Sequence, residues 1–299
     1  MEEHKVVILG SGIAGMTAGI YLKRGGLDVL VVEDNIPGGV LNEIPSIENY
    51  PGYEEISGPD LAMNIYNQLT KLGVKILNKK ITSIDLNNKI INNNIKYEYL
   101  VIATGRKSRM LSLEHEKELL GKGISTCALC DGFFYKDKKV AVVGGGSSSL
   151  TEALYLSKIC HHVTLIHRRD SLRASRVYEE QLKKSHIHFV WNSQVVEILA
   201  DKHVTGVKVQ NVVTNEMTQI DCDGLFVAIG RIPDTEIVKG QLELDKSGYI
   251  IADESTCTNI PGVFAIGDVR TKALRQIVTA ASDGATCSYY IEQYLLDKE

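Results

Sequence analysis

The chain has 299 residues, 44% of them hydrophobic and 23% charged, an ordinary globular composition long enough for two domains. Its formal net charge of −4 leaves no basic footprint, which argues against nucleic acid as a target. No apolar run approaches the ~18 residues of a membrane span, and the opening Met1-Glu2-Glu3-His4-Lys5 leads into a strand with no signal peptide, so a cytoplasmic protein without a membrane partner is expected.

The first element is the apolar run Val6 to Leu9, which reads as a strand and leads into Gly10-Ser11-Gly12-Ile13-Ala14-Gly15 and a helical stretch from Met16 to Lys23. Glycines in this pattern permit a tight strand-to-helix turn, close approach of the backbone to a pyrophosphate, and close helix packing. A second apolar run, Val29 to Val32, ends at Glu33, 23 residues after Gly10, where a carboxylate accepts hydrogen bonds from the ribose hydroxyls of an adenine nucleotide. In isolation the same residues fit a glycine turn with a surface Glu. The strand, turn, helix, strand and acid in succession argue for the nucleotide site.

Tyr99 to Ile102 reads as a buried parallel strand that closes this unit at Gly105-Arg106. Next come Cys127-Ala128-Leu129-Cys130-Asp131. Two cysteines separated by two residues at a helix start can form a readily reduced disulfide whose thiolate the helix N-terminus stabilises. Half a zinc site is the competing reading, but no second such pair accompanies it, and Cys160, Cys222, Cys257 and Cys287 are scattered singly. No metal is expected, Cys160-His161-His162 included. In a reducing compartment a C-x-x-C is catalytic more often than structural.

A second fingerprint follows. Val140 to Val143 leads into Gly144-Gly145-Gly146-Ser147-Ser148-Ser149, a helix from Leu150 to Lys158, and a strand from Val163 to Ile166. The same 23-residue count from Gly144 reaches His167-Arg168-Arg169, with Arg173 nearby, in place of an acid. An acid would repel a ribose 2′-phosphate and arginine forks onto one, so this unit is expected to take NADPH rather than NADH. A solvated basic loop is the bland alternative. Leu225 to Ile229 closes the second unit at Gly230-Arg231 as Tyr99 to Arg106 closes the first, which suggests duplication. The fold expected is α/β, two Rossmann-like three-layer nucleotide-binding domains, with smaller antiparallel pieces around 74–97 and 187–220.

These residues carry a resemblance to the low-molecular-weight bacterial thioredoxin reductases over essentially the full length. Besides the motifs above, it rests on Gly38-Gly39, Ile47-Glu48-Asn49-Tyr50-Pro51-Gly52, Cys127 to Phe134, Val263 to Val269 with Gly267-Asp268, and Arg275-Gln276. The resemblance implies an FAD-binding domain in two segments, 1–112 and 241–299, around an inserted NADPH-binding domain, 113–240, that holds the redox cysteines. It implies that Gly267 and Asp268 contact the ribityl-phosphate region and that Asn49, Arg275 and Gln276 lie near the isoalloxazine. With Gly10, Gly12, Gly15, Glu33, Gly38, Gly39 and Gly105 these form the expected FAD site, and Gly144, Gly146, Ser147, His167, Arg168, Arg169 and Arg173 the expected NADPH site. Ser147 stands where the family usually has an acid or Asn, and Val40 where it usually has Gln.

The implied activity is thioredoxin-disulfide reduction by a homodimer whose partner is thioredoxin or a thioredoxin-like protein. By family position Cys130 faces the flavin and Cys127 attacks the substrate, with Asp131 moving the proton or capping the helix. Because the cysteines and the NADPH site share the inserted domain, the resemblance implies rotation between two domain arrangements. The competing readings are a ferredoxin-dependent flavin thioredoxin reductase, a small-molecule dithiol oxidase on the same scaffold, and a nucleotide-sensing or flavin-storing protein that would leave the cysteine pair unexplained.

Overall fold

In the computed structural model, residues 1–172, 181–182 and 185–297 are described. The first half runs β1 (Glu2–Leu9), α1 (Ile13–Arg24), β2 (Val29–Glu33), α2 (Gly58–Lys71), β3 (Lys75–Asn78), β4 (Ile84–Asp85), β5 (Ile90–Ile91), β6 (Ile95–Ile102) and β7 (Arg106–Ser108). It continues through β8 (Ile124–Ser125), α3 (Ala128–Asp131), β9 (Lys139–Val143), α4 (Ser147–Leu156), β10 (His162–Ile166) and β11 (Ile187–Val190). The rest comprises β12 (Ser193–Ala200), β13 (Val204–Asn211), β14 (Met217–Asp221), β15 (Gly224–Val227), β16 (Arg231–Pro233), β17 (Val263–Ala265) and α5 (Ile277–Leu296). Two compact units result, Met1–Lys107 with Ile232–Glu299, and Ser108–Arg231. The two chain crossings, β7 and β16, pair as a two-stranded ribbon.

The first unit is built on a sheet of order β3-β2-β1-β6-β5-β4, with β17 also pairing β6. β1 lies between β2 and β6, parallel to both, and Val6 to Leu9 are wholly buried. Alternation sends Val6 and Ile8 into one apolar cluster with Met16, Leu22, Leu69 and Ile291, and Val7 and Leu9 into another with Leu100, Ile250 and Val269. Each such side chain contributes roughly 1.5–3 kcal/mol on burial. Small residues let α1 and α5 touch, since a Cβ on Gly284 would lie 2.5 Å from the Ala14 carbonyl oxygen.

The second unit repeats the scheme with a parallel sheet of order β11-β10-β9-β15-β8 and adds a separate antiparallel sheet, β12-β13-β14. Two strands differ from the sequence reading. Lys75–Asn78 and Ile187–Val190 are not antiparallel pieces but edge strands of the parallel sheets, beside β2 and β10. An edge strand has a neighbour on one side only, and both of these are partly exposed, without the continuous buried apolar run of a central parallel strand.

Candidate active site

In the first unit β1 delivers the chain to Gly10, whose N–H donates to the Val32 carbonyl at 2.9 Å. Gly10 has φ +101°, and a Cβ there would sit 2.5 Å from the Ala103 carbonyl oxygen, so the turn admits only glycine. Gly15 lies close beneath, its would-be Cβ 2.0 Å from the Gly10 oxygen. Gly12 behaves oppositely, because a Cβ there would meet no protein atom within 4 Å. That open space faces the start of α1, which has no side-chain cap and no acid in its first turn, so its amides are suited to a phosphate.

Gly38 and Gly39 close one side of this space. Gly38 bridges Gly12, its N–H donates to the Ser11 carbonyl at 2.9 Å, and a Cβ on Gly39 would lie 3.5 Å from the Gly12 Cα. Glu33 ends β2 as expected for a ribose acceptor and also holds the turn. One carboxylate oxygen accepts from the Ser11 N–H at 2.7 Å and its hydroxyl at 2.8 Å, and the other from the Asn35 N–H at 3.0 Å. Gly105 lies just past β6, its carbonyl accepting from the Asp234 N–H at 3.0 Å.

Gly267 meets α1 at Ala14, and Asp268 accepts from Arg106 Nε at 2.9 Å. Asn49 Nδ2 donates to Gln276 Oε1 at 3.2 Å, which joins two of the residues expected near the flavin ring. The third, Arg275, lies 3.9 Å over the Tyr249 ring and donates to the Arg270 carbonyl, while its buried Nε has no hydrogen-bond partner. An unpaired buried donor fits a ligand acceptor.

Sequence reading missed what holds this edge together. Asp283 on α5 accepts from the Gly267 N–H at 2.8 Å, from Arg270 Nε at 2.9 Å and Nη2 at 2.8 Å, and from Lys272 Nζ at 2.9 Å. All three side chains are under one-tenth exposed. Burial pushes the Asp283 carboxyl up, but hydrogen bonds from Arg270 and Lys272 outweigh it and hold it below the usual carboxylate range. A depressed pKa contributes stability above the unfolded value, lost as pH falls through the folded value. Asp283→Ala leaves two buried cations unpaired, so we expect urea unfolding to show a loss of about 3–5 kcal/mol, together with release of the Gly267 turn.

In the second unit β9 ends at Gly144, with φ +154°, and the open position recurs at Gly146, where a Cβ would meet nothing within 4 Å. Gly146 precedes α4, again without a side-chain cap, and Ser147 is exposed as its first residue. The three consecutive basic residues at the end of β10 do not share one environment. His167 is buried, its ring against Gly145, so that a Cβ on that glycine would fall 2.0 Å from the imidazole, and its Nε2 lies 3.1 Å from the Ser171 carbonyl. Arg168 and Arg169 are exposed, and Arg173 lies outside the described residues.

The cysteines are joined as a disulfide with Cα atoms 5.3 Å apart. Cys127 caps α3, its Sγ accepting from the Cys130 N–H at 3.1 Å while its own N–H donates to Ser125 Oγ at 3.0 Å. Cys127 is 8% exposed and Cys130 is exposed. Asp131 follows as the last residue of α3, its N–H on the Cys127 carbonyl. Beside them a small pocket is lined by Thr126, Ser148, Glu152, Val227, Ala228 and Gly230. Thr126 and Glu152 were not picked out from the sequence. The signal for Glu152 was its place one turn and a half into the helix opened by Gly146, on the face turned to the strand ends. Among the described residues no group of three or more His, Cys, Asp or Glu could hold a metal. The remaining cysteines are free, and burial pushes the Cys222 thiol up to about 12.

Two open glycine turns on parallel sheets, one sharing its unit with a dicysteine disulfide, define a nucleotide-dependent disulfide oxidoreductase. The chain belongs to the pyridine nucleotide-disulphide oxidoreductase family, which it matches over residues 4–284. It is 41% identical over 303 residues to a thioredoxin reductase of Rickettsia prowazekii, covering 97% of this chain and 98% of the relative. It is 43% identical over 310 residues to one of Coxiella burnetii, covering 98% and 97%. The crystal structure of Lactococcus lactis thioredoxin reductase superposes with a TM-score of 0.90 at 40% identity, covering 98% of this chain and 99% of that one. The resemblance read from the motifs therefore holds along the chain, and so does the α/β class. Membership implies a flavin and a pyridine nucleotide, which the openings at Gly12 and Gly146 and the unpaired Arg275 Nε fit.

Proposed function

We propose that the chain is an NADPH-dependent thioredoxin-disulfide reductase, acting through FAD in the cytoplasm as a homodimer. The observation that carries this reading is the Cys127–Cys130 disulfide set beside the pocket at the second glycine turn. The first unit holds FAD, with the α1 amides and Gly12 at the pyrophosphate, Glu33 at the ribose, Gly38, Gly39, Gly105, Gly267 and Asp268 along the chain of the ligand, and Asn49, Arg275 and Gln276 toward its ring. The second unit holds NADPH, with Gly144, Gly146 and Ser147 at the pyrophosphate and Arg168 and Arg169 on the 2′-phosphate.

When bound, NADPH and FAD supply the hydride and then the electron pair that opens the disulfide. Two electrons and two protons convert Cys127–Cys130 to the dithiol. The Cys130 N–H favours the thiolate at Cys127, which attacks one sulfur of the thioredoxin disulfide and expels the other. The Cys130 thiolate then attacks Cys127 Sγ, releasing the second thioredoxin sulfur and re-forming the internal disulfide. Asp131 moves the proton between the departing and attacking sulfurs. The homodimer reading rests on Tyr289, Tyr290 and Tyr294 of α5, of which Tyr289 is 57% exposed. Among the described residues no helix is long and apolar enough to cross a membrane.

Anaerobic stopped-flow mixing with NADPH, NADH or reduced ferredoxin tests the donor, with flavin bleaching as the signal. Rapid bleaching by NADPH and reduction of thioredoxin support the proposal, whereas bleaching by ferredoxin alone, or turnover only with oxygen, overturns it. Replacing Arg168 and Arg169 by Ala should raise the KM for NADPH about 10- to 100-fold and leave that for NADH nearly unchanged, since a charged hydrogen bond is worth about 1.5–3 kcal/mol before solvent screening. Equal weakening of both would show that the arginines do not read the phosphate.

A further inference from the structure

Trp191 is the only tryptophan of the chain, and nothing in the mechanism above uses it. It directly follows β11, at the carboxyl end of the parallel sheet. Ligands of open α/β sheets bind outside those ends, at the point where strand order reverses. In this sheet the reversal lies between β9 and β15, with β10 and β11 following on one side. From β15 outward to β11 the top edge therefore reads the pocket at Val227 and Ala228 after β15, the glycine turn after β9, Arg168 and Arg169 after β10, and Trp191 after β11. Neighbouring strands are about 4.8 Å apart. Trp191 thus stands one strand beyond the residues assigned to the ribose phosphate, on the side away from the pocket.

The surroundings prepare this indole for a planar ligand. Phe189, the preceding residue on the same side of the strand, stacks on it with ring centroids 4.9 Å apart and planes 8° from parallel. His167 meets it edge-on at 6.3 Å, and the same imidazole rests against Gly145 of the glycine turn. The backbone around it is tied on two sides. The Asn192 N–H donates to the Arg169 carbonyl at 3.1 Å, and the Asn192 carbonyl accepts from the Val212 N–H. Phe189 packs into the apolar cluster under α4, but among the described residues neither cluster of the unit includes Trp191, which stays half-buried. A large aromatic held this firmly, yet left out of the core and set beside two exposed arginines, is placed to contact a ligand.

We infer that Trp191 is the adenine-binding residue of the NADPH site, its indole giving the base a stacking surface while Arg168 and Arg169 take the adjoining 2′-phosphate. The inference rests on the reading that the second unit binds NADPH. Stacking of a base on an aromatic side chain supports roughly tenfold or more in affinity. Phe189 and His167 act through Trp191 by fixing its plane.

The test uses the FAD-loaded protein and its single tryptophan as the reporter. NADP⁺ and 2′,5′-ADP do not absorb where indole emits, so each should quench Trp191 fluorescence saturably on contact, and nicotinamide mononucleotide should not. By calorimetry, Trp191→Leu should weaken 2′,5′-ADP and NADP⁺ by the same factor, about tenfold, and Trp191→Phe should restore most of the loss. Thermal unfolding of each variant without nucleotide checks that the fold is kept. Wild-type affinity for 2′,5′-ADP in a folded Trp191→Leu protein would overturn the inference while leaving the NADPH reading intact. Failure of the unaltered protein to bind NADP⁺ at all would overturn both.

Discussion

Cys127→Ser should abolish thioredoxin reduction while NADPH still bleaches the flavin at its normal rate, because hydride delivery precedes thiol chemistry. Cys130→Ser should lose turnover as completely but in a different way. Its Cys127 can attack thioredoxin once, and with no second thiol to resolve the product it should stall as a mixed disulfide of protein and substrate, visible by mass spectrometry without reductant. Two features of the structure pull in opposite directions here. Access favours Cys130, which is exposed, over Cys127, which is 8% exposed. Charge favours Cys127, whose sulfur accepts the Cys130 N–H at 3.1 Å. The attacking species is the thiolate, and a backbone donor on one sulfur lowers that thiol's pKa, so we expect stabilisation to outweigh access. Accumulation of the adduct in Cys127→Ser instead would reverse the two roles, and full turnover in either variant would end the dithiol mechanism.

The parts of the fold that were legible in the sequence are those fixed over a few residues. Gly10 and Gly144 are forced by positive φ, and an apolar run before each and a helix after it were enough to place β1 with α1 and β9 with α4. Lys75–Asn78 and Ile187–Val190 were misread because, as partly exposed edge strands, they lack the continuous apolar run that marks a central parallel strand. The His167-Arg168-Arg169 run looked uniform as text. At the end of a strand successive residues face different ways, so His167 turned in under the glycine loop and the arginines turned out. Asp283 could not be found at all, since its partners Arg270 and Lys272 lie in a loop 13 and 11 residues before it and only the return of α5 brings them together. Trp191 was passed over for a similar reason, being a functional candidate only once β11 is known to lie beside β10.

Gly12→Val should separate flavin binding from folding. Gly12 has φ −67° and ψ 178°, an extended conformation open to any residue, and a Cβ there would meet no protein atom within 4 Å. The substituted chain should therefore fold as well as unsubstituted apoprotein, with melting temperatures within a few degrees, while the branched side chain fills the space where the α1 amides would meet phosphate. We expect it to be purified colourless and to take up no FAD on titration. Relative to the flavin-loaded protein it should melt lower, because the stabilisation by ligand, RT ln(1 + [L]/Kd), is gone. The neighbouring change Gly15→Val should fail differently. Its Cβ would lie 2.0 Å from the Gly10 carbonyl oxygen, so the turn itself must break and the first unit should unfold even without flavin as the reference. The second unit is a separate compact body, and in Gly12→Val its nucleotide site should still bind NADP⁺ with normal affinity by calorimetry. A yellow, FAD-saturated Gly12→Val protein would show that the pyrophosphate does not lie over this turn, and the assignment of the first unit to the flavin would have to be withdrawn.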